Sequence, residues 1–81
     1  RIIISIDESQ AKYLRTLPLH PSQKEIEPIS GYPAFSFYLY PSEEFCQELY
    51  KYGSDVEVHE PKWLREKFAK DAKITNIMYN K

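Results

Sequence analysis

Residues 52–68 read YGSDVEVHEPKWLREKF and combine a helix end, a short strand and a helix start. Gly53 fits the left-handed position that follows a helix end, where a Cβ atom would clash. Val56 and Val58 alternate with charged or polar residues, which is the period of a half-buried strand. Pro61 fits the first turn of a helix, because its missing N–H needs no partner there. The stretch therefore predicts a helix–strand–helix order.

Working outward, the first 17 residues predict a strand and a helix. Residues 2–6 alternate β-branched side chains, and Ile3 makes the second face apolar as well, so we expect a central strand. Asp7 is an expected N-cap, and Gln10 follows it at the capping-box spacing. The buried stripe of this helix is expected to comprise Ala11, Leu14 and Leu17, before Pro18 ends the helix.

The middle of the chain predicts a loop and a hairpin. Residues 18–24, PLHPSQK, contain two prolines and show no periodicity, which is typical of a loop. Residues 24–30 read as a weak edge strand, because Pro28 lacks a ladder donor. Ser30-Gly31 marks a turn before residues 32–40, YPAFSFYLY, which alternate as the second strand of the hairpin.

Two further helices complete a recognisable order. Ser42 is the expected cap of the second helix, whose buried stripe is Phe45, Cys46, Leu49 and Tyr50. The third helix starts at Pro61 and is expected to place on one line Leu64, Phe68, Ala72 and Thr75. The predicted order β-α-β-β-α-β-α is α+β, and its first six elements match the ferredoxin-like arrangement. Both crossover helices should cover one sheet face, with an extra C-terminal helix.

Composition limits what the chain does by itself. Its 81 residues suit one domain, and 42% hydrophobic residues suffice for a core. Eleven basic and twelve acidic side chains give a formal net charge of −1, which argues against a DNA-binding module but leaves a local basic patch open. The single cysteine, Cys46, is expected to be buried. A single thiol cannot form an internal disulfide, which suits a cytoplasmic protein. No apolar run approaches the roughly 20 residues of a membrane span.

Catalytic and metal-binding patterns have little support. His20 and His59 are the only histidines and stand 39 residues apart, unlike the closer spacing of metal ligands. The carboxylate pairs Glu43/Glu44 and Glu57/Glu60 are explained by helix capping and solvation. Two glycines are too few for a phosphate-cradling loop. We therefore predict no enzyme, no metal site and no cofactor.

Aromatic side chains are the better lead. Tyr32, Tyr38 and Tyr40 lie opposite Phe35 and Phe37 along the hairpin and should face away from the crossover helices. Such tyrosines stack bases in RNA-recognition sheets, but the stretch lacks the basic start and the glycine of that motif. We expect the third helix or a partner subunit to cover them.

Trp63 and Arg65 begin the third helix, and both residue types are enriched at interface hot spots. Trp63 could equally fold onto the surface of its own domain. The candidate contact residues are Trp63, Arg65, Phe68, Tyr38 and Tyr40.

Three pieces of the sequence resemble WYL-domain transcriptional regulators. YGSDVEVHEPKWLREKF is similar to their closing segment, in which a tyrosine-glycine, a short valine strand and a proline-led helix with leucine-arginine follow one another. PLHPSQ at residues 18–23 is similar to the loop after that family's first strand and helix, and the tail with Tyr79 also fits. The resemblance covers nearly the whole chain and points to the C-terminal extension, the WCX domain. The Trp-Tyr-Leu triplet is absent, since Lys62-Trp63-Leu64 is not that triplet, and no ligand-sensing residue is transferred.

The resemblance implies a bacterial regulator built from a winged helix-turn-helix, a WYL domain and this extension. Residues 1–81 would be a single domain at the C-terminal end, and the start at Arg1 suggests an excised domain, with removal of a leader as the alternative. The extension is typically ferredoxin-like and helps the protein to dimerise and to respond to a nucleic-acid or nucleotide effector. DNA would be bound by the winged helix-turn-helix, which these residues do not contain.

We therefore expect a non-catalytic regulatory and dimerisation domain, which forms a homodimer through itself or through the adjacent domain. Two alternatives stay open. One is a stand-alone ferredoxin-like module that binds a small molecule. The other is single-stranded nucleic-acid binding through the tyrosine-bearing sheet face.

Overall fold

A computed structural model describes residues 1–75 of the chain, and the side chains of residues 1–70. The elements in chain order are β1 (Ile2–Ile6), α1 (Glu8–Thr16), β2 (Lys24–Ile29), β3 (Tyr32–Phe37), α2 (Glu43–Tyr50), β4 (Val56–Glu60) and α3 (Lys62–Thr75). This order confirms the predicted α+β class with its additional C-terminal helix. The side chains expected to continue the stripe of the third helix, Ala72 and Thr75, and the tail residue Tyr79 lie outside the described part.

The four strands form one antiparallel sheet in the order β2-β3-β1-β4. Each βαβ crossover thus spans one intervening strand, as in ferredoxin-like domains. β1 is central and β2 lies at an edge, as their sequences predict. Ile4 faces Phe35 on one side and Val58 on the other, so these three side chains share one face of the sheet.

That face, which we call the inner face, carries the core. Its isoleucines, phenylalanines and valines pack with buried residues of all three helices, namely Ala11, Leu14, Phe45, Cys46, Leu49, Leu64 and Phe68. The Phe37 and Phe45 rings meet edge to face with centroids 5.3 Å apart, a geometry that their quadrupoles favour. The core therefore lies between the inner face and the helices.

The two expected N-caps are confirmed, but the capping box at α1 is wrong. Asp7 accepts a hydrogen bond from the Ser9 N–H at 3.1 Å, and Ser42 accepts one from the Phe45 N–H at 3.2 Å. Gln10 does not reach back to the Asp7 N–H, because that group donates to the Asp55 carbonyl at 2.8 Å. The Gln10 side chain donates instead to the Asp55 carboxylate at 3.2 Å. Long-range bonds to the turn before β4 thus replace the local motif.

Two predictions of packing are also wrong. Leu17 is 75% exposed, because α1 ends at Thr16 and the backbone turns away ahead of Pro18. The described side chains of the third helix leave Tyr32 and Tyr38 exposed, and of the three tyrosines only Tyr40 makes a ring contact with the helix, through Trp63. Leu64 and Phe68 bring α3 into the core on the inner face, beside the crossover helices. No helix within residues 1–75 combines the length and the apolar character needed to cross a bilayer.

Candidate interaction surface

The inner side of α3 anchors this helix to the domain. Leu64 is fully buried, and Phe68 is only 2% exposed. The Phe68 ring lies against the Tyr50 ring of α2 with centroids 4.5 Å apart. Phe68 was expected to contact a partner, but its burial places it in the core and leaves its ring inaccessible from outside. Its contribution to a surface is therefore to hold α3 in place.

Next to the buried stripe, α3 presents Trp63, which forms an aromatic pair with Tyr40. Their rings stack with centroids 6.2 Å apart and an interplanar angle of 30°. Trp63 is 48% exposed and Tyr40 is 82% exposed. The stack shows that Trp63 rests on its own domain, and a contact between Trp63 and a partner stays a prediction. Arg65 is exposed two residues further along the helix. The structure therefore brings two of the five candidate residues together and places a third nearby in sequence.

Sheet topology explains why Tyr40 and Trp63 meet. β3 and β4 both run antiparallel to β1, so they are parallel to each other, with β1 between them. The C-terminal ends of β3 and β4 consequently lie at the same end of the sheet. Tyr40 follows β3, and Trp63 follows β4 in the first turn of α3. Residues 23 positions apart in the chain thereby become neighbours.

Tyr38, the remaining candidate, is 65% exposed and directly follows β3. The alternation of β3 assigns it to the outer face of the sheet, opposite the core. The centre of the outer face consists of Ile3 and the small buried residues Ser5, Ala34 and Ser36. His59 lies beside this centre, with its Nε2 atom 2.8 Å from the Ser5 Oγ atom. His59 is thus a hydrogen-bonded side chain on β4.

The loop between α1 and β2 contains polar side chains whose partners the sequence alone does not indicate. Ser22 donates its backbone N–H to His20 Nδ1 at 3.1 Å, and its Oγ atom lies 2.7 Å from the same nitrogen. The Tyr38 N–H donates to Ser22 Oγ at 2.9 Å. Gln23 donates to the Leu14 carbonyl at 2.8 Å. Serine and glutamine next to prolines indicate only the kind of contact, because their side chains often form hydrogen bonds with the backbone N–H and C=O groups of a loop.

An open cavity of about 330 Å³ lies at the other end of β1, lined in part by Asp7, Tyr32, Asp55 and Glu57. Hydrogen bonds from Ser9 lower the pKa of Asp7, so this carboxylate stays ionised, unlike a general acid. Asp7 caps α1 and Asp55 binds Gln10, so both have structural roles. Among the side chains of residues 1–70, no three His, Cys, Asp or Glu groups converge as a metal site would require.

Comparison with known families agrees with this architecture. The family model of the WCX domain matches residues 1–74. A search of curated proteins and a search of solved structures each give no significant match. Since the matched range takes in nearly all 81 residues, the chain belongs to the WCX domain family.

Proposed function

We propose that this WCX domain is the regulatory and dimerisation domain of a bacterial, cytoplasmic WYL-type transcriptional regulator, and that it is not catalytic. Family membership supports the association with WYL regulators. The observation that carries the dimerisation role is the exposed Tyr40–Trp63 pair on a helix anchored in the core. A monomeric domain gains little from presenting two large stacked rings to water, whereas an interface gains contact area from them.

The composition of the surface suits a hot spot. Trp, Tyr and Arg are the residue types that most often lose more than about 2 kcal/mol of binding on truncation to alanine. Trp63 and Tyr40 supply flat apolar area, and Arg65 adds an exposed cation to the same helix. Burial of Leu64 and Phe68 holds the helix rigid, so its outer side loses little conformational entropy on association.

The regulatory step in this proposal is a change between dimer arrangements. A two-fold dimer of the whole regulator fixes the distance between its two winged helix-turn-helix domains, and hence the spacing of the DNA half-sites. A nucleic-acid or nucleotide effector that binds one arrangement better would shift the population toward that arrangement and change the affinity for DNA. The WCX domain would contribute the contact that distinguishes the arrangements.

Substitution of the aromatic pair tests the dimerisation role. We expect the chain to sediment as a dimer, and Tyr40→Ala or Trp63→Ala to raise the dimer dissociation constant by about tenfold, since each removes a large ring from the contact. Tyr13→Ala is the matched control, because Tyr13 is a 57% exposed tyrosine on α1. Truncation before Pro61 is unsuitable, as it would remove Leu64 and Phe68 from the core. A monomeric chain, or a dimer that both substitutions leave unchanged, would reject the role.

A second candidate function is single-stranded nucleic-acid binding at the same surface. Two stacked rings offer a base-stacking platform, and the same helix carries the exposed cations Lys62 and Arg65. Trp63 is the only tryptophan, so its fluorescence reports this surface directly. Quenching by an oligothymidine at low salt, lost in Tyr40→Ala, would favour this function over dimerisation. If metabolites raise the melting temperature and oligonucleotides do not, the small-molecule alternative is favoured instead.

A further inference from the structure

The loop that contains His20, Ser22 and Gln23 is tied together by its own side chains. His20 Nδ1 accepts the Ser22 N–H, so in the neutral ring this nitrogen carries no proton. The Ser22 hydroxyl, 2.7 Å away, can then donate its hydrogen to the same nitrogen and keep its lone pairs for another donor. Gln23 joins the loop to the C-terminal part of α1 through the Leu14 carbonyl and accepts the Leu19 N–H at 2.9 Å.

The donor that uses the free lone pair of Ser22 is the N–H of Tyr38, at 2.9 Å. Tyr38 is the first residue after β3, where sheet pairing stops. Ser22 Oγ therefore accepts from the backbone at the start of the segment that leads from β3 to Tyr40. Leu39, between the two tyrosines, is partly buried against the core. The segment that carries Tyr40 is thus held on one side by Leu39 and on the other by Ser22.

We propose that Ser22 is a positioning residue for the Tyr40–Trp63 surface. Its hydroxyl fixes the course of residues 38–40 so that the Tyr40 ring stacks on Trp63 before a partner arrives. The inference rests on the proposed function of this surface as a contact between copies. Its physical basis is preorganisation, because a segment already held in its bound conformation loses less entropy on association.

The test compares Ser22→Ala with Ser22→Thr, which keeps the hydroxyl. In Ser22→Ala we expect the Tyr38 amide to exchange hydrogen about tenfold faster, as its acceptor is gone. We also expect the dimer dissociation constant to rise by about three- to tenfold, and Ser22→Thr to restore both values toward the original. Ser22→Cys keeps a side chain of similar size and replaces the hydroxyl with sulfur, a weak acceptor. This variant is used if the alanine variant does not fold.

Gln23→Ala is the matched control in the same loop. Its bonds reach Leu14 and Leu19 and not the Tyr38 segment, so it should lower the melting temperature without changing the dimer constant. Faster exchange of Tyr38 with an unchanged dimer constant, in a chain where Tyr40→Ala does weaken the dimer, would overturn the role of Ser22 alone. If Tyr40→Ala and Trp63→Ala leave the dimer unchanged, the proposed function fails and the inference fails with it.

Discussion

The two sides of α3 differ sharply although their residues alternate in the sequence. Trp63 is about half exposed, and its neighbour Leu64 is completely buried. On the buried side, Leu64 and Phe68 belong to the same core as the sheet. On the exposed side, Trp63 stacks on Tyr40, a residue that is itself mostly exposed. The comparison teaches that one short helix can both complete a core and present a surface, with separate side chains for each task.

The largest expected effect comes from a substitution on the buried side of α3. Phe68→Ala should lower the free energy of unfolding by about 3–5 kcal/mol, because it removes a buried ring and leaves a cavity. An 81-residue domain has a total stability of roughly 4–12 kcal/mol, so much of the margin would disappear. Urea unfolding followed by circular dichroism measures the change, and Phe68→Leu, which conserves more of the volume, is the control. A loss below about 1 kcal/mol would show that α3 is not part of the core.

A smaller effect is expected on the exposed side. Trp63→Ala should lower the free energy of unfolding by less than about 1.5 kcal/mol, since the ring is half in water and its stack with Tyr40 is loose. Circular dichroism is again the measurement, at chain concentrations low enough to keep the protein monomeric. A loss as large as that of Phe68→Ala would mean that the two sides of α3 are not distinct.

The smallest expected effect comes from the ion pair that joins α1 to β2. Arg15 donates to Glu25 of β2 at 2.9 and 3.0 Å, and this lowers the pKa of the Glu25 carboxyl. A carboxyl with a depressed pKa in the folded chain stabilises it above the unfolded pKa. That stability is lost as pH falls from the ordinary glutamate pKa, about 4.3, through the lower pKa of the folded chain.

Arg15→Ala should therefore flatten the decline of stability between about pH 5 and pH 3, by a small amount because the pair is solvent-exposed. Melting temperatures across this interval measure it, with Lys12→Ala of the same helix as the control. A decline as steep as that of the unmodified chain would show that the ion pair does not contribute.

The order of elements could be predicted because each relies on local signals. Val56 and Val58 alternate, and Asp7 and Ser42 cap helices. In the Ser30-Gly31 turn, Gly31 has a φ angle of 84°, which glycine tolerates easily. These features depend on neighbours within a few residues. A pattern in the sequence therefore carried the information.

Long-range contacts could not be predicted in the same way. Gln10 has the spacing of a capping box, but its side-chain amide donates a hydrogen bond to Asp55, 45 positions away. The sequence indicated that Tyr40 faces away from the crossover helices and left the placement of Trp63 open, because their stack depends on the order of strands in the sheet. The bond between Ser22 and Tyr38 likewise joins two segments that only the hairpin brings together. A periodic pattern in the sequence carries no information about pairs of residues that lie far apart in the chain.

The edge formed by β2 has a consequence for the protein in a crowded cell. An unprotected edge strand can recruit further chains through its free backbone groups and start aggregation. Here Pro28 removes one donor, the pairing with β3 is irregular between Ile26 and Ile29, and Glu25 is turned toward the helices by Arg15. Strand addition at this edge is thereby disfavoured, so copies of the domain can be kept close together without growing into fibres.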